Sequence, residues 1–439
     1  MKEKMKSSAF FPVCLFPVLW LSFWTVSCAT APPGGDMQTG PESGGIPSSL
    51  PGGQKEYAQE EKPARDPLLC TFTGDIMAHT VNHHMDDYAD IYRHIQAFLQ
   101  SDDLTFANFE TPAADSLPLS SYPRFNVHSG YVRAAAESGC DVFSLANNHA
   151  NDQGIPGIRE TREVFSALQA SGKITAFSGL RETPEETMRP VCITVNGWRV
   201  LFFAVTQILN SHDKAAQLVY YIPPGENGRA ALEEDLRRMR EENPCDLFVL
   251  SLHTNEPEYV ISAAEEKRNW FVRLIRECGV DIVWAHHPHV CQEWELVERV
   301  TETGEAARPG FVMYSAGNLI SGQRWNLNTE NPAAPREYTG DSFLFRVTVS
   351  EDTLGVIPVP VTNYRNPSAA AGSAEGSLTI RPFHRAFIRS LPAHQQPYYS
   401  ERLSLMREFL RHGNRVRLDV PDAADPPESG AAAGAGTES

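Results

Sequence analysis

No two cysteines of this chain stand in a Cys-x-x-Cys pair, although it contains eight of them. That spacing is how a short loop presents two thiolates to one ion, so a thiolate-rich soft metal site is not indicated. Basic charge is scarce as well: 38 Lys plus Arg face 55 Asp plus Glu, for a net charge of −17. Such a balance repels phosphate backbones and removes nucleic acid from the expected partners. The absence of any repeat of solenoid length excludes stacked-repeat architectures. Long apolar runs are missing except for Ala9 to Trp24, which Pro12 and Pro17 interrupt and which falls slightly short of the ~20 residues of a spanning helix. What is present, 41% hydrophobic residues with 21% charged, suits a globular chain with a large core.

The apolar run follows Lys2, Lys4 and Lys6 and is followed by Thr25-Val26-Ser27-Cys28. A charged start, an apolar middle and small residues at the end are the layout of a signal peptide. A cysteine directly after small residues resembles a bacterial lipobox, with Thr25 departing from the usual aliphatic residue. Residues 1–27 are therefore expected to be a lipoprotein signal peptide and Cys28 the lipidation site, joining the protein to membrane lipid. The other reading, an uncleaved signal anchor, also exports the protein. Residues 28–66, rich in Pro, Gly, Ser, Gln and Glu, read as a flexible tether, and 421–439 as a disordered tail. Cys70, Cys140, Cys192, Cys245, Cys278 and Cys291 mostly sit beside apolar runs, where a small buried hydrophobe is the plain role. Their spacing assigns no disulfide pairing.

Between tether and tail, one domain is expected over 67–420, with short apolar strands alternating with helical patterns in an α/β layered fold. Strands are predicted at 68–74, 104–108, 141–145, 174–177, 199–206, 247–252 and 281–285, and helices at 91–100, 131–138, 157–170, 230–241 and 261–278. From Gly310 onward the strands at 311–315, 342–349 and 354–361 are expected to form an antiparallel layer, followed by a surface loop at 366–377 and a last helix at 403–411.

Polar residues collect at the carboxyl ends of the strands, where ligands gather in such folds. The strand ends are Gly74-Asp75, Asn108-Phe109-Glu110, Asn147-Asn148-His149, His253 and His286-His287-Pro288-His289. Singly, several have bland explanations: Gly-Asp as a turn, Asn-Asn as tolerance of left-handed backbone, His253 as a core histidine. Three imidazoles within four residues after an apolar strand have no packing rationale. A mixed Asp, Glu, Asn and His set suits Mn, Fe or Zn, with one ion or two.

These segments, together with Thr73 to Met77, Leu145 to Gly154 and Met313 to Asn318, resemble the CapA family of poly-gamma-glutamate capsule synthesis proteins. The resemblance implies a four-layer α/β/β/α metallophosphoesterase-like sandwich with mixed sheets. By position it implies Asp75, Asn148, His253, His287 and His289 as metal ligands, with Glu110 placed as a bridging carboxylate. His149 matches a histidine that acts as general acid, and Asp152 would orient it. Asn108, Glu256, Asn318 and Arg124 are further candidates for substrate contact, and Arg159 and Arg324 lie near the motifs. Two departures stand out: Asp75-Ile76-Met77 lacks the usual Asp-x-His histidine, the next one being His79, and Asn255 stands where the family commonly has Gly. Asn at 255 is expected to tolerate positive φ and Glu256 to remain open to the crevice.

The resulting expectation is an exported envelope protein acting in poly-gamma-glutamate synthesis, export or attachment, alongside membrane synthase subunits. A secreted metal-dependent hydrolase of phosphoesters or other envelope esters or amides, and a non-enzymatic assembly subunit, stay open as alternatives. A polyanionic product would be repelled by the overall charge, so its binding requires metal or local arginine.

Overall fold

The computed structural model describes residues 65–301, 303–366 and 377–412. The signal segment, Cys28, nearly all of the tether, the tail and most of the 366–377 loop lie outside these residues. In chain order the strands are β1 (Leu68–Ile76), β2 (Leu104–Phe109), β3 (Val142–Ser144), β4 (Ala176–Ser178), β5 (Val191–Val195), β6 (Trp198–Thr206) and β7 (Leu247–His253). They continue with β8 (Ile282–His286), β9 (Trp294–Val300), β10 (Ala306–Met313), β11 (Asn318–Ile320), β12 (Asp341–Val349), β13 (Leu354–Arg365) and β14 (Leu378–Pro382).

The first sheet runs β14-β13-β12-β1-β2-β3-β4, with β11 also on β1, and the second runs β5-β6-β7-β8-β10-β9. The first has parallel strands β1 to β4 running to one edge and antiparallel β12 to β14 on the other side, and the second has a parallel centre of β6, β7, β8 and β10 with antiparallel β5 and β9 at its margins. Parallel strands need both faces covered, and their near-continuous apolar runs reflect that. Phe106 of β2 meets Phe202 of β6 at 5.6 Å between ring centres, and Phe72 meets Trp284 at 5.8 Å. Trp284 Nε1 donates to the Thr73 carbonyl at 2.8 Å, and Ser251 Oγ to Ser144 Oγ at 2.8 Å, so polar atoms trapped between the sheets are paired. Helices Ser129–Glu137 and Gly154–Ala170 bury Tyr131, Val132, Ile158 and Phe165 on the outer side of the first sheet. Helices Glu226–Glu242 and Glu265–Glu277 bury Leu232, Leu236, Trp270 and Phe271 against the second. The architecture is the α/β/β/α sandwich with mixed sheets.

The strands after Gly310 do not form one layer of their own. β10 enters the second sheet parallel to β8, while β12, β13 and β14 extend the first sheet from β1. Both sheets had an open parallel edge, and the chain serves one and then the other. The helix expected over 91–100 is instead two single turns, Ala89–Tyr92 and Gln96–Leu99. β5, β9, β11 and β14 have no counterpart among the predicted strands; β11 is three residues long, and β5 is an edge strand with only Ile193 buried. The six cysteines of the described residues are free, and Cys70, Cys140, Cys278 and Cys291 are buried. No helix among the described residues is long and apolar enough to cross a membrane.

The last helix, Gln396–His412, is anchored by charge. Arg402, fully buried, donates from Nε to Asp341 Oδ2 at 2.7 Å, while Arg324 Nη1 reaches Oδ1 at 2.7 Å. Burial alone would raise the Asp341 pKa, but the two guanidinium groups hold it below the usual carboxylate range. Asp341→Ala leaves two buried cations without a partner and is expected to cost about 3–5 kcal/mol, read as a lower urea midpoint at unchanged m-value.

Asp102, before β2, shows the opposite shift: burial pushes its carboxyl up to about 6. The folded state then holds a proton that the unfolded chain has lost, and this stabilisation disappears as pH rises through 6. Asp102→Asn is expected to match the parent near pH 4 and to be more stable on the order of 1–2 kcal/mol at pH 7.5. Melting curves at both pH values check this, and an equal difference at the two would contradict it.

Candidate metal centre

Both sheets deliver polar side chains to one edge. In the first, the register between β1 and β2 shifts between Phe72 and Asp75, a bulge that sets Asp75 opposite Asn108 and also opposite Asn318 of β11. The bulge requires Gly74, because a Cβ there would stand 2.1 Å from the Gly317 carbonyl oxygen. Asp75 N donates to that same oxygen at 2.9 Å. In the second sheet His253 ends β7 opposite His286, the last residue of β8. The turn after β8 then places His287 at φ 99° and His289 at φ 59°. Left-handed backbone at a non-glycine residue costs on the order of 1–3 kcal/mol and persists where surroundings over-determine it, typically at functional sites.

Asp75, Glu110, Asn148, His253, His287 and His289 are all buried and form one connected group. Asn108 Nδ2 donates to Asp75 Oδ1 at 2.8 Å and reaches Glu110 Oε2 at 3.3 Å, holding the two carboxylates. His286 Nδ1 lies 2.8 Å from Asp75 Oδ1, and His289 Nδ1 3.2 Å from Oδ2. Glu110 Oε1 lies 3.7 Å from His253 Nε2 and 3.8 Å from His289 Nε2. Asn148 Oδ1 is 2.9 Å from His253 Nε2. Glu110, His287 and His289 offer ligand atoms within 4.8 Å of one another, a group able to hold a metal ion.

The electrostatics favour a cation. Burial drives the Glu110 carboxyl well above its usual range, with the neighbouring Asp75 adding to the effect. Burial would raise Asp75 too, but hydrogen bonds from His286 and His289 hold it well below. Burial also depresses the imidazoles, His253 strongly and His287 to about 3, so their ring nitrogens keep lone pairs for coordination. Glu110 Oε1, Asn108 Oδ1, His253 Nδ1 and His287 Nδ1 are buried without a hydrogen-bond partner. Buried polar atoms without a partner are costly, and the Glu110, His287 and His289 group offers an ion mixed oxygen and nitrogen donors.

Beside this centre His149 Nδ1 lies 2.6 Å from Asp152 Oδ2, which also accepts from Phe125 N at 2.8 Å. The two share a cavity of about 450 Å³ with Tyr122, Arg124, Asn210 and Glu258. Arg124 is exposed and donates from Nε to the Asp152 carbonyl at 2.8 Å. Asn318 supports the centre: its Oδ1 is 3.2 Å from His289 Nδ1 and its amide nitrogen donates to Gln323 and Thr339.

Other expectations meet corrections. Glu256 is not open to the crevice but is held by the buried Lys267, which also donates to Gln292 Oε1 at 2.9 Å and the Tyr314 carbonyl at 2.6 Å. Burial lowers Lys267 to about 8 although Glu256 opposes the shift. The positive φ of that loop falls at Tyr259, at 66°, and not at Asn255. Arg324 is buried on Asp341 and is no surface charge, whereas Arg159 is exposed on a helix. His79 accepts from Gly322 N at 3.2 Å through Nδ1.

Sequence reasoning missed Asn210, His286 as a partner of Asp75, and Lys267. Asn210 Oδ1 accepts from Asn148 Nδ2 at 3.1 Å, which turns the Asn148 oxygen toward His253, and its own amide lies 3.4 Å from Asp152 Oδ1. Its position in the loop leaving β6 at the sheet's carboxyl edge was the available signal.

The family profile described as bacterial capsule synthesis protein PGA_cap matches residues 69–323. The chain belongs to this family. Every residue of the centre, from Asp75 to Asn318, lies within the matched region. Among PGA_cap relatives, the capsule biosynthesis protein CapA of Bacillus anthracis is 26% identical over 279 residues, 60% of this chain and 62% of that protein. The match thus spans less than two thirds of that relative. The PGA biosynthesis protein CapA of Bacillus subtilis (strain 168) is 22% identical over 286 residues, 64% of this chain and 70% of that protein. A hypothetical protein from Thermus thermophilus, of known structure, aligns with 66% of this chain and 99% of its own at 18% identity, with a TM-score of 0.36.

Replacing His287 by Ala removes a donor of the Glu110, His287 and His289 group. Metal retained after gel filtration, measured by elemental analysis, is expected to fall with at least about tenfold weaker affinity, while the melting curve stays cooperative. Undiminished metal content would contradict the assignment.

Proposed function

We propose that this PGA_cap-family protein acts at the cell envelope in the synthesis, export or attachment of poly-gamma-glutamate or a related polymer. In this reading lipid on Cys28 holds it to the membrane beside synthase subunits, and one or two divalent ions, Mn, Fe or Zn, occupy the buried centre. The observation that carries it is the buried Glu110, His287 and His289 group, whose ligand atoms lie within 4.8 Å of one another, inside a capsule-family domain. Asp75, Glu110, Asn148, His253, His287 and His289 would hold the ions.

When bound, such ions supply Lewis acidity and make water nucleophilic near neutral pH. The chain's own residues supply the rest. Asn108 keeps Asp75 and Glu110 in fixed orientation, and Asn210 does the same for Asn148. Asp152 accepts the Nδ1 proton of His149, which leaves Nε2 as the atom that takes up and returns a proton. The Phe125 ring packs edge-on 4.6 Å from the imidazole and fixes its orientation. The pair also supports a second reading, a metal-dependent hydrolase of phosphoesters or other envelope esters or amides, because a poised proton donor has no place in a scaffold.

Complementing a deletion strain of a polymer producer tests both readings. Wild-type protein is expected to restore surface gamma-linked polyglutamate and His287→Ala to fail. His149→Ala is expected to lose on the order of 10²–10⁴ in turnover if proton transfer limits the reaction. Polymer unchanged by deletion sinks the capsule role. Polymer restored fully by His287→Ala sinks the metal centre.

A further inference from the structure

The ammonium of Lys267 stands where three segments of the second sheet lead into or away from the centre. Its helix, Glu265–Glu277, otherwise turns Trp270, Phe271 and Leu274 into the core, and Lys267 is buried with them. It donates to Gln292 Oε1 at 2.9 Å, to the Tyr314 carbonyl at 2.6 Å and to the Glu256 carboxylate. An ammonium has three protons, so these three acceptors satisfy it fully. Each acceptor lies close in sequence to a residue of the centre. Glu256 follows His253 by three positions, Gln292 follows His289 by three, and Tyr314 precedes Asn318 by four. The segment after Tyr314 reaches the centre twice: the Gly317 carbonyl accepts from Asp75 N at 2.9 Å, and Asn318 Oδ1 is 3.2 Å from His289 Nδ1. The segments are also tied to one another, since Gln292 Nε2 donates to the Val260 carbonyl at 2.9 Å and Thr254 Oγ1 to the His286 carbonyl at 3.0 Å.

Stability does not account for a lysine at this position. A buried ion pair is often matched or bettered by apolar residues of similar volume, because both charges must give up their water. A methionine would fill the space beside the Phe271 ring, whose centre is 5.4 Å from Nζ. What an apolar side chain does not supply is a directed bond to each of three separate segments. We propose that Lys267 is a positioning residue of the metal centre: its ammonium fixes the spacing of the segments that carry His253, His289 and Asn318, and so governs how tightly the centre holds a divalent ion. This role rests on the metal site assigned under Proposed function and extends it to a residue whose own protons all go elsewhere. Groups around a metal site that only orient its ligands commonly change affinity by 10–100-fold when removed.

Lys267→Met alone would strand the Glu256 carboxylate, so the decisive variant joins Lys267→Met to Glu256→Gln in the full chain. Mn and Zn titrated by calorimetry, and Co(II) followed by its visible absorption, read the centre without reference to turnover. The double variant is expected to melt at or above the wild-type temperature. It is nevertheless expected to bind Mn and Zn about tenfold or more weakly and to give a shifted Co(II) spectrum. Hydrogen exchange at the amides of Thr254, Gln292 and Ala316, each bonded across to a neighbouring segment, is expected to quicken. Glu256→Gln by itself keeps the bonds to Gln292 and Tyr314 and is expected to give a smaller loss and an intermediate Co(II) spectrum. Wild-type affinity and spectrum in the double variant overturn the positioning role alone. Should the double variant not fold, Glu256→Gln decides, and its unchanged affinity and spectrum overturn the role equally. A wild type that binds none of the three ions overturns the metal reading and the positioning role together.

Discussion

The carboxylate of Asp75 is where charged and polar side chains of the two sheets meet at their common edge. One oxygen takes Asn108 from the first sheet and faces His286 from the second, while the other faces His289. A buried carboxylate costs several kcal/mol unless it is paired, so this group holds together only while both sheets keep their register at that edge. The bulge in β1, the absence of a side chain at Gly74 and the left-handed turn through His287 and His289 each serve that meeting. The strand interiors, lined with Phe72, Phe106, Phe202 and Trp284, supply the apolar burial against which the strained edge is maintained.

Strong local periodicity made the central fold legible. β6 and β7 are apolar runs long enough to identify as buried strands, and the amphipathic helices between them carry the α/β pattern. The ends were less legible because edge strands such as β5 bury one side only, and because sequence does not say which of two sheets a late strand will join. β10 and β12 are separated by fewer than thirty residues and enter different sheets. The candidate donors were readable as one group because each stands at or just beyond a strand end, and the fold brings those ends to one edge. Asn210 and Lys267 stand in no motif, and for Asn210 the one signal was its place in the loop leaving β6. Lys267 shares its helix face with the buried Trp270, Phe271 and Leu274, and only the folded chain shows which groups, Glu256, Gln292 and the Tyr314 carbonyl, receive its ammonium there. Glu256 illustrates the same limit from the other side: its place after His253 suggested the crevice, and the partner that claims it is eleven residues further on.

Net charge turned out to be a poor guide to local fields. The chain is acidic, yet its buried ion groups are arginine-rich. Asp341 is held by Arg324 and Arg402, and Asp281 by Arg240, Arg299 and Arg308. These groups anchor segments that are distant in sequence, and they leave the acidic excess on solvated surfaces. Arginines that are neither buried nor paired are therefore the informative ones.

The hydrogen bonds leading away from His289 do not stop at the family boundary. His289 faces Asn318, Asn318 donates to the carbonyl of Thr339, and two residues later Asp341 receives Arg402 from the last helix. Yet the matched region ends at residue 323. A candidate donor inside the matched region is thus tied by hydrogen bonds to residues outside it, which connect in turn to the terminal helix. Relatives that share the motif set but replace this closing segment would present the same candidate donors on a different footing, with Asn318 no longer held from beyond residue 323.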